Sequence, residues 1–233
     1  MLSFIEKKTI WDAIDRGRKD DLDAKVSYQL KIAQDLAVYD LIADETGLDI
    51  AEIGGGDSRI LRILAESNRC SNIEKFEGAN IGPKGEIKIP GVTNISAFIG
   101  EFSPIVRSES FDLVFSISVI EHVPTKVLPD FFTDMLRALR PGGRFIHAID
   151  FYVNEEPTPY YLERYAHYCN WVLNDPRVTP LVPGTAPEFS FKCSYASNPD
   201  NIMFGWRQLA PALHDLRKTA QNVSFMVGGV KKG

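Results

Sequence analysis

The chain is expected to fold as a doubly wound α/β domain. This means a mostly parallel sheet with helices on both faces, an N-terminal helical segment, and an aromatic-rich lid inserted before the last strand. Three observations lead there. Between residues 48 and 150, short apolar runs alternate with amphipathic stretches, the succession of strand–helix–strand units that builds a parallel sheet. Two of these runs, FDLVFS (111–116) and RFIHAI (144–149), are almost continuously apolar, as strands covered on both faces must be. Three consecutive glycines, Gly54, Gly55 and Gly56, follow the first run, where a strand has to turn sharply into a helix.

Residues 1–47 read as helices. Val26, Leu30, Ala33, Leu36, Ala37 and Leu41 recur at steps of three and four, which gives one apolar stripe. Gly17 interrupts the pattern, Asp20 and Asp21 stand where a new helix would be capped, and Gly47 is expected to close it. Strands are then expected over 49–53, 71–76, 93–99, 111–116 and 144–149, with helices over 58–67 and 127–140. The stretch 78–92 (GANIGPKGEIKIPGV) holds four glycines and two prolines, so a loop or a very short helix replaces a crossover there. Pro141-Gly142-Gly143 supplies the turn into the strand at 144–149.

Beyond residue 150 the composition changes. Phe151, Tyr152, Tyr160, Tyr161, Tyr165, Tyr168 and Trp171 fall within 21 residues of a chain that is 11% aromatic overall. Such a segment either packs its rings on the N-terminal helices as a lid or walls a pocket for a sugar or planar metabolite, and a lid's inner face allows both. A helix over 206–218 and an edge strand over 224–230 complete the sheet. The chain therefore reads as one domain: helices over 1–47, a ligand-binding core over 48–150, and a lid with closing helix and strand over 151–233.

With 44% apolar and 24% charged residues, the 233-residue chain has the composition of an ordinary globular protein with a sizeable core. A net charge of -5 argues against a phosphate-backbone binder, so no nucleic-acid partner is expected. The most apolar run, 113–120, is far too short to span a bilayer. The opening MLSFIEKKTIWDAIDRG has no long apolar stretch behind a basic one, so a cytoplasmic location is expected. Cys70, Cys169 and Cys193 are odd in number and lack metal-like spacing; they read as buried or free thiols in a reducing compartment.

In an open α/β sheet, ligands sit outside the carboxyl ends of the strands. A turn without side chains lets a ligand approach, and the next helix aims its amides at it. A dinucleotide fingerprint counted from Gly54 places Arg59 where the third glycine belongs, and no Gly-Lys-Ser/Thr follows for a phosphate loop. What remains is acidic-x-Gly-x-Gly, present as Glu52-Ile53-Gly54-Gly55-Gly56.

This pattern resembles the first motif of Rossmann-like (class I) S-adenosylmethionine-dependent methyltransferases of the small-molecule type. Glu74 lies 20 residues after Gly54, the distance at which an acidic side chain meets ribose hydroxyls in such folds; Glu77 is its rival. FIGEF (98–102) resembles the family's Gly-Asp step, which implies that Gly100, Glu101 and Phe102 face the adenine. SESFDLVFSISVIEHVP and LRALRPGGRFIHAI resemble the family's fourth strand and the entry to its fifth, which implies that Ser116 and Ile117 lie beside the methionine moiety. Ser58 departs from the pattern by replacing a frequent glycine, and the 78–92 loop is longer than usual.

The resemblance implies transfer of a methyl group from S-adenosylmethionine to a small acceptor, with S-adenosylhomocysteine as product. The expected acceptor is an oxygen of a glycan-type or other metabolite. His122 follows the fourth strand, as a general base or as a residue that positions its loop. Asp150 ends the fifth strand, where it orients an acceptor hydroxyl, serves as base, or caps a helix. His147 and Asp150 have no third partner for a metal, so no metal is expected. His167 is read as packed among tyrosines, and Glu155 and Glu156 as solvated. Two other readings stand beside this one: an NAD-type oxidoreductase, against which Arg59 speaks, and a non-catalytic module that kept the cofactor pocket.

Overall fold

The computed structural model describes residues 1–23, 30–76, 86–154, 158–187 and 220–233. Strand β1 (Leu2–Phe4) is followed by helices α1 (Lys7–Asp15), α2 (Arg18–Asp21) and α3 (Leu30–Asp40). Next come β2 (Asp49–Ile53), α4 (Arg59–Leu64), β3 (Arg69–Ile73), β4 (Val92–Ile95) and β5 (Phe111–Ile117). Two short 3-10 turns, Ile120–His122 and Thr125–Val127, lead into α5 (Leu128–Ala138) and β6 (Leu139–Asn154). Then follow α6 (Pro159–Leu173), β7 (Val178–Pro180) and β8 (Ala220–Lys231).

The sheet runs in the order β1-β8-β6-β5-β2-β3-β4, with β7 also paired to β8. The pairs β2–β3, β3–β4, β2–β5 and β5–β6 are parallel, and β8 is antiparallel to β6, β1 and β7. The chain order reverses at β2, which lies between β3 and β5. A crevice opens at the carboxyl ends of strands at such a reversal.

Successive side chains of a strand point to opposite faces, and here both faces are covered. Ala51, Val114, Phe145 and Ile149 join one core with Phe131, Phe132 and Met135 of α5 and Tyr168 and Trp171 of α6. Ile50, Leu113, Phe115, Ile146 and Ala148 join another with Leu36, Ala37 and Val38 of α3 and Leu61 and Leu64 of α4. This is why 111–116 and 144–149 show no polar face. Ser58, in place of a glycine, caps α4 by accepting the Leu61 N–H at 3.1 Å. Pro129 and Pro159 stand in the first turns of α5 and α6, where no N–H is needed.

Several expectations are corrected. The N-terminal segment does not begin as helix: Leu2, Ser3 and Phe4 pair with Val227, Met226 and Phe225, and the rings of Phe4 and Phe225 lie 5.4 Å apart. α3 stops at Asp40, and Gly47 does not close it; with φ at +73° Gly47 bridges to Ser67 at 2.8 Å in the turn before β2. β3 and β4 each end earlier than expected, at Ile73 and Ile95, with one last bond from the Glu74 N–H to the Ile95 carbonyl at 3.1 Å. Pro141-Gly142-Gly143 is not a separate turn but an irregularity inside β6, where the register slips between Phe111 and Leu113. β8 is not an edge strand, since β1 and β7 flank it.

The aromatic segment turns inward, although not onto the N-terminal helices. Phe151 belongs to β6, with the rings of Tyr161, Tyr168 and Phe225 at 5.6, 6.0 and 6.1 Å. Trp171 stacks on Phe132 of α5 at 4.4 Å, and Tyr160 is exposed. Cys70 and Cys169 are free and buried. Among the described residues no helix is long and apolar enough to cross a membrane. The expected helix over 206–218, together with Val26, Tyr152's side chain, Glu77, Glu155, Glu156 and Cys193, lies outside the described residues.

Candidate functional site

The glycine turn leaves β2 at the crevice. Gly54 has φ at +67° and Gly56 at +53°, a region that side chains disfavour. Gly54 donates to the Ile73 carbonyl at 2.9 Å, and a Cβ there would stand 2.8 Å from Val119 Cγ2. At Gly55 a Cβ would come within 2.9 Å of the Glu52 carboxyl carbon. At Gly56 it would meet nothing within 4 Å. The bend is therefore closed beneath and open above.

Beneath it lies Glu52, 2% exposed, with Oε2 lacking any hydrogen-bond partner among the described residues. Burial pushes its pKa up to about 7, with Ser58 and Lys31 pulling the other way. Glu74 leaves the end of β3 and accepts the Gly56 N–H at 3.1 Å and the Asn72 amide at 3.5 Å. Both bonds use Oε2, so Oε1 is unengaged among the described residues. Asn72 also takes the Gly55 N–H at 3.0 Å. The structure thus brings Glu52, Gly54, Gly56 and Glu74 together.

A second turn forms the far rim. Gly100, with φ at +104°, and Phe102, with φ at +52°, both donate their N–H groups to Asp134 Oδ2, at 2.7 and 3.0 Å. Asp134 is fully enclosed on α5 and pairs with Arg137 at 2.7 Å. Arg137 in turn donates to the Val106 carbonyl at 2.6 Å. Glu101 and Phe102 stand exposed on this turn. Their presentation depends on Asp134, which the sequence reading did not single out.

At the end of β5 the structure separates residues that the sequence grouped. Ser116 is fully buried and bonded to His147 Nδ1 at 2.8 Å, so its side chain does not line the crevice. His147, with Met135 sulfur 3.2 Å from its other nitrogen, is a core histidine whose pKa burial lowers to about 3. Ile117 is buried, but its carbonyl lies 3.5 Å from Lys31 Nζ. Asp150, at the same edge, accepts from Gln34 at 2.6 Å. Gln34 also reaches Ser224 at 3.0 Å and accepts from Ser118 at 2.8 Å. Burial raises the pKa of Asp150, against the pull of Gln34 and Lys31.

His122 points outward, its side chain 81% exposed. Its neighbour Glu121 turns inward with only 15% of its side chain exposed. Neither carboxyl oxygen of Glu121 has a hydrogen-bond partner within range among the described residues, although its own N–H and that of Asp150 lie near enough to stabilise some charge. Burial, with the Asp150 charge adding, pushes its pKa up to about 8. The 120–125 turn is held from α6 by Arg164, which is almost fully buried.

One cation, Lys31, acts on Glu52, Asp35 and Asp150 at once, and burial raises the pKa of all three carboxyls. With Glu121, this region has four carboxyls whose ionisation burial opposes. Gln34, Asp134, Glu121 and Arg164 were missed by the sequence reading. The one available signal was that KIAQD (31–35) places polar residues on the apolar stripe of α3. Among the described residues no group of three His, Cys, Asp or Glu could hold a metal ion.

Residues 51–147 match the model of a methyltransferase domain family. No curated protein matches the chain. Among solved structures, geranyl diphosphate C-methyltransferase from Streptomyces coelicolor A3(2), crystallised with Mg2+, geranyl diphosphate and S-adenosyl-L-homocysteine, is 14% identical with a TM-score of 0.51. The match covers 81% of this chain and 73% of that one. A geranyl diphosphate methyltransferase in complex with SAM gives 14% identity, 85% and 84% coverage, and a TM-score of 0.53. Phosphoethanolamine N-methyltransferase 2 from Haemonchus contortus, with phosphomonomethylethanolamine and S-adenosylhomocysteine, gives 12%, 97% and 59%, and 0.50. At these identities the likeness is one of fold.

Proposed function

We infer, from the match of residues 51–147 to a methyltransferase domain family, that this chain is a Rossmann-like methyltransferase that moves a methyl group from S-adenosylmethionine to a small-molecule acceptor. The observation that carries this reading is the acid-lined bend. Gly54 and Gly56 adopt the left-handed region, open space stands over Gly56, and the buried Glu52 below has an unpartnered oxygen. A ligand bearing positive charge relieves several carboxyls whose ionisation burial opposes. The cofactor is such a ligand, with a sulfonium and an ammonium group, and the residues present fit it.

Glu74 is suited to take the ribose hydroxyls, since a carboxylate accepts from both members of a cis-diol. Gly100, Glu101 and Phe102 form the adenine edge, on a turn that Asp134 holds in place. Ile117 meets the methionine end with its main chain, and Ser116 supports that strand from the core. When bound, the cofactor supplies an activated methyl group. The protein's own task is to hold the acceptor in line with it and to exclude water. Asp150 and Glu121 face the acceptor side, so an acceptor carrying an exchangeable proton, a hydroxyl or an amine, suits this wall. An oxygen of a sugar or other metabolite remains within that class.

Titration calorimetry with S-adenosylhomocysteine tests the reading. Micromolar binding is expected, weakened at least about tenfold in Glu74→Ala, the scale of a lost charge-assisted hydrogen bond. No binding, or no effect of the substitution together with a larger thermal shift from NAD(H), counts against it.

A further inference from the structure

We propose that Arg164 is a positioning residue that ties the 120–125 turn to α6 and so presents Glu121, rather than His122, to the acceptor. This rests on the methyltransferase reading and adds the residue that meets the acceptor's proton-bearing group. The Arg164 guanidinium donates to the Ile120 carbonyl at 2.6 Å, the Val123 carbonyl at 2.8 Å and Thr125 Oγ1 at 3.3 Å. Its remaining N–H groups reach Tyr168 Oη at 2.8 and 3.0 Å. The rings of Tyr160 and Tyr168 stand 5.5 and 5.7 Å from its central carbon, a cation–π setting.

Only a planar fork with several donors can hold two carbonyls and a hydroxyl of one turn while it packs against aromatic rings. A buried guanidinium matched to neutral acceptors adds little net stability, and every acceptor outside its own helix belongs to that turn. The turn also abuts the glycine bend, through Val119 against Gly54. Along it, His122 faces solvent while Glu121 is largely buried, close enough to Asp150, Arg164 and Tyr168 for their charges to act on one another. An inward carboxyl whose oxygens make no hydrogen bond to another side chain among the described residues, with His122 Nε2 3.7 Å from Oε1 as its ion-pair contact, is placed to accept an N–H or O–H from a ligand.

The test needs no acceptor. Sinefungin carries a charged amine where S-adenosylmethionine carries its transferable methyl group, whereas S-adenosylhomocysteine carries nothing there. The ratio of their affinities, measured by calorimetry at about pH 8, therefore reads the acid that faces this point. Glu121→Gln is expected to lower the sinefungin preference by roughly tenfold or more, the scale of one hydrogen bond to a charged group. Arg164→Gln should lower it similarly and Arg164→Lys should restore only part. An unchanged ratio in Glu121→Gln overturns the proposal, as does a fall in His122→Ala. Equal weakening of both ligands in Arg164→Gln, the result of a merely loosened turn, also overturns it; if that variant does not fold, Glu121→Gln decides. Wild-type protein that binds S-adenosylhomocysteine but shows no sinefungin preference refutes this inference alone. Failure to bind either analogue removes the cofactor reading as well.

Discussion

Replacing Glu52 with glutamine should make the ligand-free protein more stable at alkaline pH and little different at acid pH. Burial moves this carboxyl from 4.5 to about 7, so between those values the folded chain holds a proton that the unfolded chain has released. The folded state is favoured most below 4.5, loses ground as pH rises, and levels off above 7. At about 1.4 kcal/mol per unit of pKa difference, the penalty is about 3 kcal/mol at pH 8 and under about 1 kcal/mol at pH 5. Glutamine keeps the shape, removes the charge, and gives the position of the unpartnered oxygen a donor. Urea unfolding of both proteins at the two pH values measures the difference. The expected gain at pH 8 is about 3 kcal/mol, or roughly 6–12 °C in Tm for a chain of this size. An equal effect at both pH values, or a loss at pH 8, refutes the claim that burial of the Glu52 charge costs the folded state stability. The same variant should bind S-adenosylhomocysteine more weakly, the usual exchange of stability for function at a site.

Gly55→Ala places a methyl group 2.9 Å from the Glu52 carboxyl carbon, and a destabilisation of about 1–3 kcal/mol is expected. Most of it should disappear in a Glu52→Ala background, which a double-mutant cycle by chemical unfolding will show. Asp134→Ala strands two N–H groups and the Arg137 charge. It should cost about 3 kcal/mol and speed hydrogen exchange at Gly100 and Phe102. His147 is held near 3 against an unfolded value of 6.5, so its contribution is complete above 6.5 and is lost as pH falls. About 2 kcal/mol should go by pH 5, and His147→Gln should flatten that slope by about one proton.

The strands were legible because their signal is local. DIAEI is bounded by Gly47 on one side and Gly54 on the other, and the structure ends β2 at the expected residue. FDLVFS and RFIHAI show no polar face because helices cover both sides of the sheet. The glycine bend and Glu74 were legible for a similar reason, since turn chemistry and the reach of one βαβ unit set their spacing. Arg164 and Asp134 were not. Their partners lie 44 residues away at Ile120 and 34 residues away at Gly100, and in a helix each looks like an ordinary charged residue. Gln34 failed for the opposite reason: it sits in an apolar stripe, and its bonds to Asp150 and Ser224 span 116 and 190 residues. His122 and Glu121 are adjacent, and nothing in their order tells which of them a 3-10 turn directs inward. β1 was missed because three residues ahead of a helix carry too little periodicity to register.

The placement of β8 between β1 and β6 has a consequence during synthesis. The N-terminal strand and the long flank of β6 leave the ribosome with no hydrogen-bonding mate, and the segment that satisfies both, residues 220–231, emerges only afterwards. Until then the nascent chain presents two open ladders and the apolar side chains around Phe4 and Phe151, the kind of surface that recruits chaperones or promotes self-association. Slow, late closure of such a long-range ladder is expected to set the pace of maturation.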